Sequence, residues 1–92
     1  MENWEMCNVR WTVEVHEGTG ASVDWKVSLP VRTIAFMASL SASTAELVAL
    51  ASEALNIAAQ AADCIYDEGL DAIWWEPATA PTPIVIVISC VD

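Results

Sequence analysis

Cys7-Asn8-Val9-Arg10-Trp11-Thr12-Val13-Glu14-Val15-His16 alternates apolar and polar residues throughout. A period of two sends successive side chains to opposite faces of an extended chain. Cys7, Val9, Trp11, Val13 and Val15 therefore share a face that seeks a core. Asn8, Arg10, Thr12, Glu14 and His16 share the face that seeks water. Val, Thr and Trp also suit a pleated surface. The stretch reads as a half-buried strand and commits the chain to a sheet covered on one side.

The pattern returns at residues 21–29, with Ala21, Val23, Trp25, Val27 and Leu29 on one face and Ser22, Asp24, Lys26 and Ser28 on the other. Glu17-Gly18-Thr19-Gly20 lies between as a turn, where glycine tolerates positive φ. The two stretches are expected to pair as an antiparallel hairpin. Opposed residues must share a face, so an odd-length loop is needed; a two-residue loop would bury Lys26 and Arg10. Pro30 ends the second stretch. Residues 31–40 then place Ile34, Phe36, Ala38 and Leu40 in alternation, although Ala and Met also tolerate a helix. The preceding proline and the serine cluster that follows favour a third strand.

Ser43-Thr44-Ala45-Glu46 has the form of a helix capping box. Leu47, Leu50, Ala51, Ala54, Leu55, Ala58, Ala62 and Ile65 recur at helical spacing after it, and Gly69 suits the position just past a helix end. The expected helix runs from Thr44 to Glu68, about 37 Å at 1.5 Å per residue. Asp71-Ala72-Ile73-Trp74-Trp75-Glu76 reads as a short strand ended by Pro77. Residues 78–83 read as an extended connector. Ile84-Val85-Ile86-Val87-Ile88-Ser89-Cys90-Val91 is the last strand, chosen over a buried helix for its length and β-branched run. The expected fold is a single α+β domain over residues 1–92, ordered β-β-β-α-β-β, with one long helix packed on one face of a small antiparallel sheet. A strand apolar on both faces expects cover on both. The second cover is expected from a loop, a symmetry mate or a partner. A homodimer or partner-binding sheet face is inferred, and five tryptophans agree with an interface.

The chain has 13 acids, three Lys or Arg and one His, for a net charge of −10. An apolar fraction of 55% excludes a disordered tail. The charge excludes direct binding to a phosphate backbone and favours a basic protein partner. It is also unevenly placed. Residues 1–32 carry five acids and three bases, while residues 33–92 carry eight acids and no base. On the expected helix, Glu46, Glu53, Asp63 and Asp67 form a stripe without a basic counterpart, continued by Glu68 and Asp71. Such a row resembles the phosphates of a nucleic acid and suits a positively charged groove. Trp74 and Trp75 are the expected apolar anchors beside it.

Catalytic and cofactor signals are missing. His16, the lone imidazole, reads as a solvated residue beside a turn rather than a catalytic base. Cys7, Cys64 and Cys90 form no CxxC pair and sit among apolar neighbours as small buried hydrophobes. Asp63, Asp67, Glu68 and Asp71 lack the spacing of a calcium loop. No metal, cofactor or enzymatic activity is expected. Met1-Glu2-Asn3-Trp4-Glu5 is no secretory signal, and no apolar run is long enough to cross a membrane, so the expected location is cytoplasmic.

The order strand, turn, strand, short strand, then Ser43-x-x-Glu46-Leu47 opening an Ala/Leu/Glu helix, then Glu68-Gly69, prolines and a strand, resembles the partial RNase H fold of HicB-type antitoxins. The chain departs from that family in lacking its Pro-Asp-x-Pro-Gly segment and a DNA-binding module after Val91, so no functional residue carries over. The resemblance implies an acidic inhibitor of a basic RNA-cleaving toxin. In size and acidity the chain is also similar to small phage anti-CRISPR proteins, which occupy nucleic-acid-binding surfaces. The expected function is thus a non-enzymatic inhibitor of a basic nucleic-acid-handling protein, with an assembly module built on an apolar sheet face as the alternative.

Overall fold

The alternation that opens the chain becomes β1 (Asn8–Glu17), which lies inside a five-stranded antiparallel sheet. The structure, a computed structural model, describes residues 8–19, 28–58, 64–67, 71–78 and 80–91. Five further elements follow in chain order: β2 (Arg32–Ser39), α1 (Thr44–Leu55), β3 (Ile65–Asp67), β4 (Ala72–Trp75) and β5 (Ile84–Val91). The strand order is β2-β1-β5-β4-β3. The fold is α+β, with one helix and a small antiparallel sheet among the described residues.

Both edges of β1 are filled. Asn8 to Val15 pair with Ser39 to Arg32 of β2, and Arg10 to Glu17 pair with Val91 to Ile84 of β5. This corrects the expected hairpin between residues 7–15 and 21–29: the strands beside β1 are 32–39 and 84–91. Most of the expected second strand falls outside the described residues, and Ser28 to Pro30 are not strand. Residues 32–39 are a strand, as the Pro30 boundary suggested.

The register stacks apolar side chains in rows across the sheet. Ile34, Val13, Ile88 and Ile73 oppose one another in turn, as do Phe36, Trp11 and Cys90, and Val15, Ile86 and Trp75. Leu47, Val48, Ala51 and Leu55 of α1 close over this face and form one core with it. Each fully buried Val, Leu or Ile side chain contributes about 1.5–3 kcal/mol.

The helix is half the expected length. Ser43 caps its start: the Glu46 N–H donates to Ser43 Oγ at 3.2 Å. The Ser43 hydroxyl in turn donates to Glu46 Oε1 at 3.5 Å, a side-chain contact in place of the reciprocal bond from the Ser43 N–H. Asn56 ends it in the left-handed region, at φ 56° and ψ 43°. Asn56 N–H donates to Glu53 O and Ile57 N–H to Ser52 O, the paired bonds of a Schellman motif. Ile57 then packs against the core, the hydrophobic contact that accompanies this stop. The shorter span suits the topology. β2 and β3 are opposite edges, about 19 Å apart at ~4.8 Å per strand. A helix of 12 residues is about 18 Å long, enough to carry the chain across.

The second sheet face is closed along β4 and β5 within one chain. Ala72, Val85 and Val87 are buried there, with half-buried Trp74 packed against them. His16 is fully buried on the same face, opposite Val85. The apolar outer face of the last strand therefore does not wait for a second molecule.

Candidate functional site

Of the acids singled out in the sequence, Glu46 and Glu53 fall on α1 and are exposed. They sit seven positions apart, two helical turns, about 10 Å along the axis. The buried side of α1 is Leu47, Val48, Ala51 and Leu55, so Glu46, Ala49, Leu50 and Glu53 form the ridge turned away from the sheet. Leu50 was expected in the apolar stripe and is instead 39% exposed, between the two glutamates. It is an exposed apolar side chain that sequence periodicity placed in the core. The signal lay in its position: four residues after Glu46 and three before Glu53, it shares their side of the helix.

The longer stripe is broken. Asp63 and Glu68 lie outside the described residues. Asp67 is in β3, where it opposes Ala72 on the sheet face away from the helix. It does not join Glu46 and Glu53. Asp71, exposed and in the left-handed region at φ 51°, immediately precedes β4. The Tyr66 hydroxyl donates to its Oδ1 at 2.7 Å. Asp71 also lines a cavity of about 270 Å³ on the helix side, together with Thr44 of α1. Of the acids singled out in the sequence, the described ones on the helix side are Glu46, Glu53 and Asp71.

The two expected anchors part company. Trp75 is 1% exposed and belongs to the helix-side core, which corrects its assignment as an exposed anchor. The alternation of β4 turns its neighbour Trp74 to the other face, where it is half-buried. Neither ring stands beside Glu46 and Glu53.

His16 is also corrected: it is not a solvated turn residue. Its Nε2 lies 3.0 Å from Glu14 Oε1 and its Nδ1 lies 3.0 Å from Ser28 Oγ. A carboxylate only accepts, so Nε2–H donates to Glu14, and Nδ1 shares a hydrogen bond with the Ser28 hydroxyl. The sequence Ser28, His16, Glu14 has the order of a hydrolytic relay. The ring, however, is closed to solvent, and the described cavity opens on the opposite face, lined by Trp11, Leu40, Leu47, Ile73 and Ile88. The relay acts as a staple that holds the segment before β2 against the sheet.

Among the described residues no three His, Cys, Asp or Glu side chains gather to hold a metal ion. Cys64 and Cys90 are in no disulfide and are half-buried rather than buried as expected, and Cys7 lies outside the described residues. No described helix is long and apolar enough to cross a membrane. No family model, curated protein or solved structure matches the chain.

Proposed function

We propose that this chain is a non-enzymatic acidic inhibitor that binds a basic nucleic-acid-handling protein and covers its nucleic-acid-binding surface. The observation that carries the reading is the outer ridge of α1. Glu46 and Glu53 are exposed there, and no Lys or Arg occurs anywhere from residue 33 to 92 to neutralise them. Uncompensated carboxylates on a rigid element attract a groove built for phosphates, and the net charge of −10 draws the partner in from a distance. Leu50, between the two carboxylates, supplies a desolvated contact that a polyanion lacks. Asp71, on the same side of the sheet, extends the acidic surface. The expected targets are an RNA-cleaving toxin or an RNA-guided nuclease, acting in the cytoplasm.

Competition tests this directly. A basic ribonuclease toxin and an RNA-guided nuclease are each loaded with labelled nucleic acid and titrated with the purified chain. The expected result is displacement of the label from one of them, weakening as salt rises. The Glu46→Lys/Glu53→Lys variant should bind about ten- to hundredfold more weakly, mainly through slower association. Displacement that ignores both the double reversal and the salt concentration would remove the electrostatic reading.

A further inference from the structure

Among the described residues β2 is an edge strand, and its outer side has no partner strand. Proteins usually protect such an edge with charges, prolines or bulges. β2 has none of these past Arg32: Thr33-Ile34-Ala35-Phe36-Met37-Ala38-Ser39 is uncharged and pairs with β1 residue for residue. Exposed apolar side chains gather at this end of the sheet. Leu29 is 86% exposed, Val31 59%, Met37 59% and Leu40 63%, all on β2 or its immediate flanks.

Charge selects the occupant. Two copies of a chain with net charge −10 repel each other over most of their surfaces. The stretch from Trp25 to Ala45 contains no Asp or Glu, and it holds two of the chain's three bases, Lys26 and Arg32. The third, Arg10, is opposite Met37 in the sheet. The unprotected edge is therefore also the place where two copies meet with least repulsion.

We infer that β2 pairs antiparallel with β2 of a second copy, extending the sheet through a twofold axis. Opposed residues in such a pair must share a face, so the axis passes beside a residue that meets its own copy. In mid-strand that residue is Ala35 or Phe36. Either choice places both helices on the same side and joins the Ile34, Phe36 and Ala38 rows of the two cores. Main-chain hydrogen bonds supply the attraction, and Met37 and Leu40 lose exposed surface. The acidic ridges of α1 stay on the outer surface, so this pairing is independent of the inhibitor reading.

Sedimentation equilibrium of the intact chain tests the pairing. The expected mass is twice 9.9 kDa, falling to 9.9 kDa on dilution. Added salt should tighten the dimer by screening the residual repulsion. The Ala35→Glu/Met37→Glu variant should sediment as a monomer with an unchanged circular dichroism spectrum, because both positions are exposed. Ile65→Glu, on the opposite edge strand, should leave the dimer intact. A chain that stays monomeric up to about 1 mM overturns the proposal. So does a folded Ala35→Glu/Met37→Glu variant that still dimerises, or a dimer dissolved by Ile65→Glu. If the double variant does not fold, hydrogen exchange of the native chain decides. Protection of β2 amides that rises with concentration, with β3 unchanged, supports the pairing; a uniform response overturns it.

Discussion

Trp74 and Trp75 are adjacent in sequence and belong to different cores. Trp75 points to the helix side and is 1% exposed; Trp74 points away and is half-buried. Trp75→Ala is expected to cost about 3–5 kcal/mol of folding free energy, read as a lower urea midpoint at unchanged slope. Trp74→Ala should cost well under that. Equal losses would contradict the assignment of faces. Trp75 Nε1 is buried without a hydrogen-bond partner, so Trp75→Phe, which removes that N–H, should cost much less than the alanine change. Inward residues such as Val13 and Val15 were legible because burial of an apolar side chain depends only on period. The burial of His16 was not. A polar ring is buried only when both nitrogens are satisfied, and Ser28 reaches it from a segment whose course the sequence pattern does not reveal.

At the scale of elements, the start of α1 could be read and its end could not. Ser43 and Glu46 announce a cap by type and spacing; Ser43 Oγ accepts the expected bond from the Glu46 N–H, while the Glu46 carboxylate takes the Ser43 hydroxyl rather than its backbone N–H. Beyond Leu55 the apolar spacing runs on through Ala58, Ala62 and Ile65, so periodicity extends a helix that the chain abandons. What stops it is a single left-handed residue, and asparagine marks such positions less plainly than glycine. Asn56→Val is expected to destabilise the protein by about 1–2 kcal/mol, and Asn56→Gly to preserve or raise its stability. Thermal unfolding compares them; a valine variant as stable as the native chain would mean that Asn56 does not terminate the helix. The strand at 32–39 was legible from Pro30 and its alternation. Its partner was not, because β1 takes β2 on one edge and β5, from the far end of the chain, on the other, and alternation does not say which strand fills which edge.

For the molecule as a whole, the imbalance of 13 acids against three bases opposes compaction. The melting temperature is therefore expected to rise with sodium chloride from about 10 mM to 150 mM, over which the screening length falls from ~30 Å to ~8 Å. Calorimetry showing no rise would mean that the charges lie too far apart to repel appreciably. The position of β5 between β1 and β4 has a temporal consequence. Of the five described strands it is the last to be synthesised, yet it fills the middle of the sheet. Until Ile84–Val91 emerges, β1 with β2 and β4 with β3 are separate halves, each with an inner edge open. The sheet is then completed by insertion rather than by growth outward from a finished core. Contacts between the two ends of a chain are slow to form. The nascent protein thus passes through a stage in which its most apolar strand is the one it is still missing.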